Sequence, residues 1–231
     1  MPRRASRQRW AVTLAALLLA AGFAWLGVWQ IERRAWKHDL IARVDRRVAA
    51  LPVDAPGPAR WPQVTRERDE YRRVSLTGRF LPGRDTFVTA STVLGPGYWL
   101  LSPFAERRGF TVIVNRGFVP DRRRVPTSPS PNVTGLLRIS EPGGDLLRSN
   151  DPAAALWYSR DVPAIAAAHG VVAAPYFVDA AGEPQDPPFP RGGLTVIAFS
   201  DNHLIYATTW FALAALTMGV ATAWLRRPRP D

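Results

Sequence analysis

Two uncharged stretches, one near each end of the chain, restrict the possible folds more than any other feature of the sequence. From Trp10 to Ile31, WAVTLAALLLAAGFAWLGVWQI runs 22 residues without a charged side chain. At about 1.5 Å per helical residue this length crosses the roughly 30 Å hydrocarbon layer of a bilayer. A second such run extends from Leu204 to Leu225. Arg3, Arg4, Arg7 and Arg9 precede the first run, and Arg226, Arg227 and Arg229 follow the second. Arginines beside short membrane ends mark the cytoplasmic side, so both tails are expected in the cytoplasm and residues 32–203 outside it. The first run ends in Trp25 and Trp29 rather than in a small-residue cleavage site, which favours a retained anchor over a signal peptide. The expected organisation is a tail over 1–9, a membrane helix over 10–31, an extracytoplasmic domain over 32–203, a second membrane helix over 204–225 and a tail over 226–231. The short arginine-rich leader favours a bacterial inner membrane over a mitochondrial one.

Between the runs the apolar period changes. In ERRAWKHDLIARVDRRVAAL, Leu40, Ile41, Val44, Val48 and Leu51 fall at helical spacing, so the first helix should continue outward until Pro52. Residues 52–62, PVDAPGPARWP, are too rich in proline and glycine for a regular element. RVSLTGRF then alternates Val74, Leu76 and Phe80 with polar residues, as a strand with one buried face does. Further strands are expected over 86–89, 98–104, 110–119, 133–139, 176–179 and 194–199, with 98–104 and 110–119 forming a hairpin. Asp161, Pro163 and Gly170 supply the cap, first turn and stop of one short helix. The expected fold is an α+β membrane protein: two transmembrane helices flanking a mostly antiparallel β domain, a small barrel or sandwich, with one or two helices.

Composition narrows the chemistry. The formal charge of +11 invites a nucleic-acid reading. Without the charged residues of the two tails, 23 basic and 18 acidic side chains remain, intermingled along loops and strands, so nucleic acid is not an expected partner and membrane lipid is. The absence of cysteine removes disulfides, thiolate zinc sites and thiol-based copper transfer. No nucleophile elbow, zinc-protease helix or phosphate-binding loop is present, and the histidines are His38, His169 and His203 alone. These absences argue against an enzyme.

His203 stands out by position. Ser200, Asp201 and Asn202 are all good helix caps, which puts His203 in the first turn of the second membrane helix, at the outer water boundary. The positive end of that helix favours an uncharged imidazole, with Asp201 acting against it. An uncharged imidazole there could take one axial position on a haem iron. Tyr206 and Trp210 follow His203 at i+3 and i+7, while Trp29, Arg33 and Trp36 lie at similar depth on the first helix. The two stripes are expected to face each other across a groove, with Arg33 or Lys37 available for a propionate. An ordinary aromatic and arginine belt at the membrane surface would give the same pattern.

LGVWQIERRAWKHDLI, GYWLLSPF, VIVNRGFVP, PYFVDA and DNHLIYATTWFALA follow one another in this order. Their order and spacing resemble the Surfeit locus protein 1 family of cytochrome c oxidase assembly factors, over about Gly27 to Leu213. The resemblance implies two membrane helices around an outer domain. It also implies a part in building haem-copper oxidase, by delivering haem a to the catalytic subunit or stabilising it there. His203 matches the histidine suspected in the family of binding haem a. Asp201 replaces the first asparagine of the family's Asn-Asn-His and adds a carboxylate beside it. Trp29, Gln30, Arg33, Trp36 and Lys37 match a second family pattern. The oxidase catalytic subunit is the implied partner, and haem a synthase a candidate donor. A scaffold that binds no haem is the competing expectation.

Overall fold

The computed structural model describes residues 2–122, 132–145, 147–182, 189–195 and 201–226, with side chains from residue 9 onward. The chain divides into two units, one of residues 1–43 and 198–231, the other of residues 44–197.

The first unit holds the two long helices. Helix α1 spans Pro2–Ala49 and α4 spans His203–Leu225. Both are long and apolar enough to cross a membrane. Leu14, Leu18, Ile205 and Leu216 are exposed in the chain by itself, which a core helix of a soluble protein would not tolerate in such numbers. Within this unit the helices touch through Phe23 and Trp210, stacked with ring centroids 5.7 Å apart. Gly27 is buried against Phe211: a Cβ at residue 27 would lie 2.7 Å from the Phe211 ring. Helix α1 continues without interruption beyond the apolar run, as its spacing predicts, and stops before Pro52, which has no amide to continue it.

The second unit is a β-barrel. Its strands are β1 (Val53–Asp54), β2 (Arg73–Phe80), β3 (Thr86–Thr92), β4 (Gly95–Glu106), β5 (Phe110–Val119), β6 (Asn132–Ile139) and β7 (Ala173–Ala180). A one-turn helix α2 (Arg66–Asp69) precedes β2, and α3 (Val162–Ala168) precedes β7. Strands β2, β6, β7, β5 and β4 close into a ring because β2 pairs with both β6 and β4. All pairs in that ring are antiparallel except β5 with β7. Closure removes the free sheet edges of the ring strands.

Period two decides the core. Val112 and Val114 of β5, with Tyr176 and Val178 of β7, fill one buried cluster with Val74, Leu76 and Phe104. Ile113 and Phe177, the residues between them, join Val88, Leu101, Trp157 and Ile165 in the other. These two strands are buried on both faces, which is why they read as continuous apolar runs. Helix α3 matches its expected punctuation: Asp161 accepts the Ala164 amide through its side chain and Gly170 takes a φ of 62°. In β5 the register against β4 slips by one residue at Arg116, and Gly117 adopts a φ of 129° there. A Cβ at residue 117 would also meet the Arg191 carbonyl carbon at 2.3 Å.

Several bounds differ from expectation. Strand β3 extends to Thr92 and β4 starts at Gly95, because the two zip together down to Thr92 opposite Gly95. Strand β7 begins at Ala173, three residues early, through its parallel contact with β5. In the segment expected to be irregular, β1 adds two residues parallel to β2. Leu194 and Thr195 are not in a strand, and residues 196–199 of that expected strand lie outside the described residues.

Candidate functional site

His203 is the first residue of α4, as its run of caps predicts, although the capping is not done by Asn202. Asp201 does it: its Oδ1 accepts the His203 backbone N–H at 3.2 Å. The other carboxylate oxygen, Oδ2, lies 2.7 Å from His38 Nε2 and 3.3 Å from Arg34 Nε. Desolvation opposes ionisation of Asp201. The His38 hydrogen bond, the His203 amide and the Arg34 charge outweigh it and hold the carboxyl below its usual range. The start of α4 is thus tied to α1 by one carboxylate.

The imidazole of His203 is half-buried, and its Nδ1 lies 2.8 Å from Gln30 Oε1. Among the described residues Nε2 has no protein partner. Gln30, Arg34 and His38 recur at i, i+4 and i+8, and Gly27 precedes Gln30 at i−3, so these contacts with Asp201, His203 and Phe211 come from one stripe of α1.

The other expected site residues are distributed differently. Tyr206 is exposed one turn after His203, and Trp210 stacks on Phe23. Trp29 and Trp36 are exposed, and the Arg33 guanidinium lies 4.1 Å from the centroid of the Trp36 ring. Arg33 is roughly 60° around α1 from Gln30, and Trp29 and Trp36 are roughly 100° and 120° around. Among the described residues no ring contact joins Trp29 or Trp36 to Tyr206 or Trp210. The Arg33 guanidinium stays with Trp36, and the two tryptophans turn away from the contact stripe.

Gln30, Arg34 and His38 were not singled out from sequence as partners of the α4 head. A signal existed in their spacing from Gly27, but polar residues at and just beyond the end of a membrane run read equally well as surface. Among the described residues no group of three or more His, Asp or Glu is arranged to hold a metal ion, so any metal held here rests on few protein ligands.

The model of the SURF1 family matches residues 17–215. The chain belongs to the SURF1 family. It is 31% identical to Surfeit locus protein 1 of Homo sapiens over 216 residues, covering 83% of this chain and 70% of that one. It is 30% identical to Surfeit locus protein 1 of Rattus norvegicus over 225 residues, covering 87% and 71%. With the SURF1-like protein of Caenorhabditis elegans it shares 31% over 243 residues, covering 91% and 73%.

In this SURF1-family chain the motif segments of the β unit meet at one cavity of about 210 Å³, whose walls include Trp99, Asn115, Arg138, Arg160, Asp179 and Thr195. Asp179 is buried and accepts from Asn115 at 2.8 Å, Arg138 at 2.9 Å and Thr195 at 3.0 Å. Arg138 also donates to Glu70, and Arg160 makes a two-pronged pair with Glu141. Burial opposes the charge on Arg138, but Asp179 and Glu70 raise its pKa overall. With both guanidiniums committed to carboxylates, the cluster is a cross-brace between β5, β6 and β7.

Proposed function

We propose that the protein is an assembly factor for haem-copper cytochrome c oxidase that holds haem a through His203 and passes it to the catalytic subunit. The observation that carries this reading is the state of the His203 ring: anchored through Nδ1, with Nε2 left without a protein partner among the described residues, at the first residue of a membrane-length helix. A haem iron supplies an open axial position that a neutral imidazole can fill. His203 would provide that ligand, Tyr206 would border the ring, and Arg33, one turn beyond Gln30 on α1, would leave Trp36 to pair with a propionate. Trp210 serves the site from beneath by packing on Phe23. Trp29 and Trp36 belong to the exposed face of α1, where they can meet lipid or the partner. One histidine without a second strong protein ligand suits transfer, since it leaves dissociation fast. The orientation follows from the arginines of the two tails: both termini cytoplasmic, the β unit outside, in a bacterial inner membrane.

A scaffold without haem is the second reading, favoured by the close helix contact at Gly27, which fits a rigid tether. Complementation separates the two. In cells lacking the protein, His203→Ala should accumulate in the membrane at the normal level yet leave the oxidase deficient in haem a. Normal oxidase with that variant would leave only the scaffold.

A further inference from the structure

A neutral imidazole carries one N–H and one lone pair, and which nitrogen holds the proton is set by what the other atoms around the ring accept or donate. Gln30 presents an amide oxygen, an acceptor only, 2.8 Å from Nδ1 of His203. That distance is a hydrogen bond only if Nδ1 carries the proton. We propose that Gln30 is a positioning residue for His203, which fixes the ring as its Nδ1–H tautomer and leaves Nε2 as its sole acceptor.

The surroundings make this arrangement specific. Gly27, one turn before Gln30, has no Cβ, and the Phe211 ring fills the place where one would stand. That close approach brings the short glutamine side chain within reach of α4. At the helix start the Asp201 carboxylate holds the His203 backbone N–H, so backbone and ring of His203 are each fixed by a different residue. The acceptor is a neutral amide and not a carboxylate. A carboxylate on Nδ1–H raises the basicity of a histidine ligand, whereas an amide orients the ring while polarising it less. The consequence, which rests on the reading of His203 as the haem ligand, is a correctly aimed but moderate donor, as suits a group that must be given up.

The test uses the full-length protein without haem in detergent, with ¹⁵N-labelled histidine, at a pH where the ring is neutral. His203, assigned by its loss in His203→Ala, should appear as Nδ1–H in the wild type and in Gln30→Glu. In Gln30→Leu it should move toward the Nε2–H form that an unconstrained side chain favours. An Nε2–H ring in the wild type, or an Nδ1–H ring unchanged in Gln30→Leu, overturns the proposal. Iron protoporphyrin titrated into the same proteins provides the second arm. Gln30→Leu should bind about 10- to 100-fold more weakly. Gln30→Glu should keep its affinity and lower the iron midpoint potential. Wild-type affinity in Gln30→Leu counts against positioning. Wild-type uptake by His203→Ala, with the tautomer shift still present, sinks the ligand reading and leaves the positioning of the ring intact.

Discussion

The Asp201 carboxylate lies 2.7 Å from His38 Nε2, a residue 163 positions earlier, and with its other oxygen it accepts the amide of His203. The beginning of α4 is therefore tied to α1 through the Asp201 carboxylate. Asp201→Ala should loosen the helix pair and lower haem uptake, while Asp201→Asn should keep the cap and lose the ion pairs. The carboxyl is depressed in the folded state, so its contribution is present above the unfolded value of about 3.9 and is lost as pH falls through the lower folded value. Acid titration of helix-pair melting, followed by circular dichroism in detergent, should show this fall in the wild type and a flatter course in Asp201→Asn.

The second pH-sensitive group lies in the β unit. His169 ends α3, and its Nε2 lies 2.7 Å from the Thr86 hydroxyl. Desolvation, aided by the Arg84 charge, lowers its pKa. A depressed histidine stabilises the fold above its unfolded value of about 6.5, and that stability is lost as pH falls through the folded value. Denaturant midpoints of the full chain should drop as pH falls below about 6.5. His169→Gln should remove part of that slope, and an identical slope would contradict the assignment.

Asp179 should be the costliest polar position in the barrel. Replacing it by Ala takes one of two carboxylate partners from the half-buried Arg138 and Arg160 and strips Asn115 and Thr195 of their acceptor. Breaking a buried charge pair by removing one partner costs about 3–5 kcal/mol. Chemical denaturation followed by tryptophan fluorescence should report a loss of that order.

Gly27 offers a packing test. Gly27→Val forces the Phe211 ring aside and should weaken the helix pair by about 1–3 kcal/mol, the usual range for overpacking. Phe211→Ala in the same chain should recover much of the loss. Thermal melting of the single and double variants measures both effects.

The architecture was legible because its signals are local. Membrane runs, the alternation in β2 and the Asp161, Pro163 and Gly170 punctuation of α3 each lie within one segment. The bulge at Arg116 and Gly117 depends on what crosses the strand, here the Arg191 backbone, so nothing in VIVNRGFVP alone announces it. The site divides the same way. His203 was visible from its caps. Its partner Gln30 was not, because helical spacing ranks faces but does not say which face meets another helix. The aromatic residues drew attention to Trp29 and Trp36, whereas the contact stripe is marked by the small residue Gly27.

The proposed function stands on His203 as the haem ligand. It is tested most directly by purifying the wild type and His203→Ala from cells that make haem a and measuring the haem type and its ratio to protein in each. Haem a is expected in the wild type, with a visible spectrum altered or absent in His203→Ala. Equal haem a in both, with identical spectra, would contradict it.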